Sequence, residues 1–289
     1  FQWDPYMWYW GAQFLRQCTY RKMEVNTLRK HRLSIYSQKC FHQLIDETNI
    51  SYHENKNGLI YFFRTSESFQ EGKQKLAMLN PFMKNIQLLN RAELLQLEPA
   101  LSRSQTEIYG GIYCPTDESG SCRDFTLRLV EICMGKGASF HYNTIILNVE
   151  KDKNNIKKVN TDKGDFQADK YVLACAAFSP FIAQMAGEYL PIYPVKGYSM
   201  TLPILDQEKT PEHSGIDEDN LLAFSLLGNK IRFTSVAEIS GYDTTHTPLD
   251  FRDMVNLVES LFPHAFDFSK VEYWAGLRPM TPNGSPIFG

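Results

Sequence analysis

The chain has 289 residues, 43% of them hydrophobic and 22% charged, which is enough to bury a core in one large or two ordinary domains and excludes a disordered chain. A net charge of −3 with acids and bases interspersed excludes nucleic acid as an electrostatically recruited partner. Six cysteines without a C-x-x-C pair and seven histidines without an H-E-x-x-H read as reduced thiols in a cytosolic-type compartment and offer no metal site.

The opening Phe1 to Trp10 is aromatic, but it carries Asp4 and Pro5 and falls far short of the roughly 18 apolar residues of a membrane span. From Tyr6 to about Glu47 the spacing predicts helix, with Phe14, Leu15 and Cys18, then Leu28, Ile35, Cys40, Leu44 and Ile45 on one side. Ile50 to His53, a turn at Asn55 to Gly58, and Leu59 to Phe63 predict a β-hairpin. Helices are expected at Ser66 to Met78 and at Asn90 to Leu97, the latter stopped by Pro99, and a short strand at Gly110 to Pro115. Ser121 and Asp124 resemble a capping box ahead of a helix whose face is Cys122, Phe125, Thr126, Leu129, Val130 and Cys133, ended by Gly135 and Gly137. A strand at Ser139 to Tyr142 and a meander of Ile145 to Val149, Ile156 to Thr161 and Phe166 to Ala168 follow. Lys170 to Ala176 is an apolar run of the kind that forms buried parallel strands. Asp217-Glu218-Asp219 lacks the glycine of a calcium loop and reads as a solvated acidic loop. The remaining strands fall at Tyr198 to Leu202, Leu221 to Leu226, Ile231 to Val236 and Val271 to Trp274, with a helix at Asp250 to Leu261.

Among the seventeen glycines no G-x-G-x-x-G occurs, so the chain has no standard cradle for a dinucleotide pyrophosphate. No G-x-S-x-G elbow or P-loop is present either. The most informative segment is Trp274 to Gly289. Pro282-Asn283-Gly284 fits a type I turn after Thr281, and Arg278 ends an extended stretch just before it. On chemistry alone that guanidinium is either a surface ion-pair partner or a rigid fork for a planar carboxylate.

The closing run is similar to the G-[LF]-R-P-x-[TS]-P-D-G-x-P block of flavin-dependent amino acid dehydrogenases and oxidases. Gly110-Gly111-x-x-x-Pro115-x-Asp117-Glu118-x-Gly120-x-Cys122 resembles the G-G-L-x-x-P-x-D-E-T-G-D-C segment of bacterial D-amino acid dehydrogenases of the small-subunit type. Phe140 to Thr144 resembles their F-x-F-N-T, and Ile192 to Ser199 their V-Y-P-L-K-G-Y-S. Ala237-Glu238-Ile239-x-Gly241, Phe63-Arg64-Thr65 and Leu97-Glu98-Pro99-Ala100 also match, in collinear order over nearly the whole chain. Relative to that family the chain lacks an N-terminal flavin-binding βαβ unit and a C-terminal glycine-rich segment. Residues 1–289 alone are therefore expected to be inactive, to expose apolar surface and to purify without flavin.

The resemblance implies an α/β (α+β) two-domain flavoprotein of the D-amino acid oxidase type, with an incomplete FAD-binding α/β domain and a strand-rich substrate domain. Residues 1–48 are expected to form a helical segment on the FAD domain and 116–190 part of that domain. Residues 49–115 and 191–274 would make the substrate domain, and 275–289 would return to the FAD domain. The implied cofactor is FAD, contacted by Ile146, by the Ala174, Cys175, Ala176 and Phe178 turn, and by Gly276 and Gly284. The bare residues leave Ile146 equally open as ordinary strand core. Arg278 is implied as the grip on the substrate carboxylate and Tyr198 as a second substrate contact, although a core-facing tyrosine is the alternative. Glu238 reads as a strand carboxylate paired to a nearby base.

Ala176 stands where the family has glycine, which matters if φ there is positive. Thr234-Ser235 replaces two family glycines beside the substrate pocket. The implied reaction is oxidation of a D-amino acid to an imino acid, which water converts to the 2-oxo acid and ammonia. Hydride goes to the flavin, no dedicated base is required, and no catalytic residue is assigned. Electrons are expected to pass to a quinone from a cytoplasmic protein held peripherally at the inner face of the plasma membrane. The alternatives are an oxygen-using glycine, sarcosine or D-amino acid oxidase, and a degenerate flavoprotein acting as a non-catalytic module.

Overall fold

The computed structural model describes residues 4–79, 85–153 and 155–288, so the first three residues of the aromatic opening and the closing Gly289 lie outside the described residues. Its centre is an eight-stranded sheet of order β11-β7-β10-β9-β8-β1-β3-β2. The strands are β1 (Leu59–Phe63), β2 (Gln87–Asn90), β3 (Gly110–Cys114), β7 (Tyr193–Pro203), β8 (Ser214–Asp217), β9 (Leu222–Leu227), β10 (Lys230–Glu238) and β11 (Glu272–Met280). Segments 59–114 and 193–280 are joined where β1 runs parallel to β8, which places Leu59 to Phe63 in one sheet with Tyr198 to Leu202 and Leu222 to Leu226. β11 stays paired to β7 through Met280, across the expected boundary at 274.

Strand alternation divides this sheet into two unlike faces. On one face Tyr198, Met200, Leu202, Phe224, Phe233 and Phe62 join Phe251, Met254, Val258, Leu261 and Phe262 from helix α7 (Arg252–Leu261) and its flanks. The Phe224 and Phe262 rings meet edge to face at 5.4 Å. The opposite face is covered at the β1–β3 end by helix α3 (Ser66–Leu79), where Phe63 meets Phe69 at 5.6 Å. Phe63 lies so close to Gly72 that any side chain there would collide with its ring. At the β10–β7–β11 end this second face carries polar side chains.

Helices α1 (Pro5–Leu15) and α2 (Tyr20–Thr48) replace the single helix predicted from Tyr6 to Glu47. Thr19, extended at φ −120, starts the second helix, and Cys18 falls in the break instead of on a helix face. The predicted hairpin is also corrected. Asn49, left-handed at φ 54, caps α2. Ile50 to His53 are not a strand, because β1 is already paired on both sides by β3 and β8. Tyr52 instead packs edge-on against Phe41 and Phe125. The remaining helix of this half is α4 (Arg91–Leu97), closed by a capping box between Asn90 and Glu93.

Asp217 corrects the solvated-loop expectation. Its carboxylate is fully buried and takes the Nε and Nη2 protons of Arg64 at 2.9 and 2.6 Å. Asp219 accepts the Arg64 backbone N–H and the Ser68 hydroxyl at 2.8 and 3.1 Å, tying β8 to the start of α3.

The second region holds helix α5 (Cys122–Gly135), a three-stranded meander of β4 (Ile146–Asp152), β5 (Asn155–Thr161) and β6 (Gly164–Phe166), and helix α6 (Ser179–Met185). The Ser121 hydroxyl caps α5 by accepting from the Asp124 N–H at 3.2 Å. No residue of α5 is fully buried, however; its predicted apolar face is only partly covered, with Phe125 against Phe41 and Tyr52. The strands predicted at Ser139 to Tyr142 and Lys170 to Ala176 do not form. A strand needs a hydrogen-bonded neighbour, and among the described residues neither segment has one. Val172 is 91% exposed in consequence.

Candidate functional site

Arg278 is held by the geometry expected of the closing run. The Gly284 N–H donates to the Thr281 carbonyl at 3.0 Å, closing the turn, and Gly284 has φ +71. β11 is an edge strand, which tolerates Pro279. Helix α1 braces the same corner. Trp10 Nε1 donates to the Met280 carbonyl at 2.9 Å, and the Tyr6 hydroxyl donates to the Leu190 and Ile192 carbonyls at 2.8 and 3.0 Å. Burial, then a hydrogen bond to Asp4, pushes the Tyr193 hydroxyl up to about 12.

The guanidinium of Arg278 lies over Gly197, where any Cβ would collide with it, and the indole of Trp274 lies over Gly276 in the same way. Gly197 and Gly276 are direct cross-strand partners. The two glycines thus make a flat floor beneath a cation and an aromatic ring. Arg278 Nη1 donates to the Val236 carbonyl at 3.0 Å, and no carboxylate pairs with this arginine among the described residues. Gly276 is therefore covered by Trp274. The small pocket here, about 180 Å³, is lined by Gly197, Ser199, Arg232, Thr234, Trp274 and Arg278 among others.

Tyr198 contributes backbone to that pocket, but its side chain belongs to the other face of the sheet. Alternation puts Lys196, Tyr198 and Met200 opposite to Val195, Gly197 and Ser199. The Tyr198 ring packs edge-on against Phe251 at 5.3 Å, and its hydroxyl donates to Glu238. Burial first, then that hydrogen bond, raises the hydroxyl above its ordinary value. The base expected beside Glu238 is Lys196, whose buried ammonium sits 3.8 Å from it and donates to the Thr245 carbonyl at 2.5 Å.

A second, larger cleft of about 740 Å³ lies where the chain leaves β11. Its walls are Tyr171 to Ala174, Ala176 and Ser179 on one side and Pro279 to Thr281 with Gly284 to Phe288 on the other. Ala174, Ala176 and Gly284 come together here. Ile146, Cys175 and Phe178 do not line it. Ile146 starts β4 opposite Thr161, the Cys175 carbonyl accepts from the Phe178 N–H at 2.9 Å, and the Phe178 ring packs on Tyr242 at 5.4 Å. Ala176 has φ +47, so the condition under which alanine for glycine costs energy is met, at about 1–2 kcal/mol.

The family model for FAD-dependent oxidoreductases of the DAO type matches residues 8–289. The chain belongs to that family. It is 39% identical over 287 residues to D-amino acid dehydrogenase 2 of Mesorhizobium japonicum, covering 99% of this chain and 69% of the relative. It is 36% identical to the D-amino acid dehydrogenase of Paramagnetospirillum magneticum, covering 100% and 68%. Among solved structures it resembles glycine oxidase from Geobacillus kaustophilus, with a TM-score of 0.76 at 20% identity, over 91% of this chain and 69% of that one. L-Proline dehydrogenase from P. horikoshii gives a TM-score of 0.76 at 20% identity, over 89% and 69%. These likenesses fix the fold as that of a DAO-type flavoprotein.

The residues present fit the planar end of a flavin. The larger cleft is lined largely by apolar side chains, Val172, Leu173, Leu190, Ile192, Ile287 and Phe288, together with the small residues Ala174, Ala176 and Gly284. A phosphate cradle is not among the features of this chain. Two residues of the small pocket, Arg232 and Trp274, were missed by motif matching. Period-two alternation alone places Arg232 and Thr234 on the face away from Ile231 and Phe233.

Proposed function

We propose that this FAD-dependent oxidoreductase oxidises D-amino acids to imino acids, which water converts to 2-oxo acids and ammonia. The observation that carries the proposal is Arg278, a guanidinium fixed over a glycine floor and without a carboxylate partner among the described residues, near an apolar cleft suited to a flavin ring. The identities of 34–39% to relatives named D-amino acid dehydrogenase support the substrate class. When bound, the flavin supplies the hydride acceptor. Arg278 grips the α-carboxylate by its fork and so fixes how the Cα–H is presented. Ala174, Ala176 and Gly284 would flank its ring, and Val172, Leu173, Ile287 and Phe288 would offer it apolar contact. The Tyr198–Glu238–Lys196 group stiffens the strand beneath Arg278 from the opposite face.

The eight-stranded sheet is proposed as the substrate-binding body, and residues 116–190 with the end of β11 as the flavin side. A quinone is the proposed electron acceptor, with peripheral contact at a membrane; no helix among the described residues is long and apolar enough to cross one.

The test uses the FAD-loaded protein. D-Alanine should bleach the flavin anaerobically and reduce an artificial quinone, with little oxygen consumption. Arg278→Lys keeps the charge but loses the fork, so KM should rise roughly ten-fold for a loss of about 1.4 kcal/mol, with the flavin spectrum intact. Vigorous oxygen uptake would favour an oxidase instead. An unchanged KM in Arg278→Ala would make this arginine structural.

A further inference from the structure

The sheet face that carries Arg278 holds a second cation. On β7 the residues Val195, Gly197, Ser199 and Thr201 share this face. Across from Thr201 on β10 is Arg232, and across from Ser199 are Thr234 and, on β11, Trp274. Arg232 Nε donates to Thr201 Oγ1 at 3.0 Å, which leaves both terminal nitrogens without a protein acceptor among the described residues. The carboxylate nearest in register is Glu272, also opposite Thr201, and it is held by Lys230 at 2.5 Å. Arg232 is half-buried and lines the same small pocket as Arg278. A partly desolvated guanidinium without a counter-ion is an unfavourable arrangement that an anion relieves.

We infer that Arg232 recognises a second carboxylate, so that the site takes D-amino acids with an acidic side chain in preference to small neutral ones. This rests on the proposed oxidation of D-amino acids, and it names the substrate class within it. The spacing fits. The Arg278 guanidinium lies over Gly197 and Arg232 reaches Thr201, four residues further along β7, or roughly 13 Å at about 3.3 Å per residue. A glutamate-length chain with a carboxylate at each end bridges two guanidiniums at that separation. Its backbone of methylenes then lies over Ser199, with Thr234 on one side and the Trp274 indole on the other. A neutral side chain leaves Arg232 unpaired.

The decisive measurement is calorimetric binding of glutarate against butyrate, which share a four-carbon stem but differ by one carboxylate. Glutarate should bind at least ten-fold tighter. Arg232→Met should collapse that ratio, and Arg232→Lys, which keeps stem and charge, should retain part of it and guards against a variant that fails to fold. Arg278→Met should weaken both ligands. In the FAD-loaded protein the ratio of kcat/KM for D-glutamate to that for D-alanine should fall in step with the binding ratio. Equal binding of the two ligands, or a ratio insensitive to Arg232, overturns the inference even if D-alanine is oxidised. If neither D-amino acid is oxidised while the Arg232-dependent binding ratio persists, the oxidation reading fails and the dicarboxylate site stands.

Discussion

β7 and α5 are both amphipathic by sequence, yet they end in opposite circumstances. Every residue of β7 from Tyr193 to Leu202 is buried, with β11 and β10 on its flanks and α7 behind it. α5 forms with its Ser121 cap but buries no residue fully, its apolar side chains being half-covered at most. Caps and periodicity mark where a helix begins and which side is apolar. Full burial needs a complete second layer, which the eight-stranded sheet has on its apolar face and α5 has only in part. The two regions should therefore respond very differently to mutation.

The largest effects are expected inside the sheet. Asp217→Ala strands the Arg64 guanidinium in a buried site, at a cost of roughly 3–5 kcal/mol in urea unfolding; a loss under 1 kcal/mol would mean that the pair is solvated in solution. Phe233→Ala, at a fully buried position, should cost about 3–5 kcal/mol. The matched change in α5, Val130→Ala at a half-buried position, should cost less, about 1 kcal/mol. Equal losses at the two sites would erase the contrast.

A smaller and opposite effect is expected at Ala176. Glycine tolerates φ +47 freely, so Ala176→Gly should stabilise by up to about 1 kcal/mol after the extra unfolded-state entropy is deducted. Destabilisation there would mean that the methyl packs against the cleft.

The smallest effect is a pH dependence at Asp117, beside α2, where Gln38 donates to the Thr116 carbonyl at 3.0 Å. Burial, and then the neighbouring Glu118 charge, raises its carboxyl above the usual range. A raised folded-state value means that the native state favours the neutral acid. Its stabilising contribution is complete below the ordinary aspartate value and is lost as pH rises through the raised one. Asp117→Asn should melt higher than the parent at neutral pH, and the gap should close under acid conditions. A gap that widens in acid would reverse the assignment.

What was legible in the sequence follows the same division. The strands at 221–226 and 231–236 and the helix at 250–261 appear within a few residues, while those expected at 198–202 and 271–274 are the cores of longer strands, 193–203 and 272–280, that extend along each other. β8 escaped notice since Ser214-Gly215-Ile216-Asp217 has little strand composition and owes its place to β1 and β9. Lys170 to Ala176 read as a buried parallel strand on composition alone, yet extended pairing is a property of two segments. Of the residues named by motif, Arg278 lines the small pocket and Ala174, Ala176 and Gly284 the larger cleft. Tyr198 is expected at the substrate from the family match of Ile192 to Ser199, with a core-facing tyrosine as the alternative, and strand alternation puts its side chain on the face away from Arg278. Arg232 carries no motif and was visible only once the faces were assigned.

The register of β7 with β11 also bears on how the protein is made. β7 leaves the ribosome some seventy residues ahead of the strand that covers its outer edge, as their positions at 193–203 and 272–280 require. Until β11 arrives, a long apolar strand presents unpaired amides on one side, which is the condition for edge-to-edge association between nascent chains. Synthesis speed and chaperone supply should therefore govern the soluble yield of this protein more than its final stability does, and slower translation beyond β10 should lower that yield.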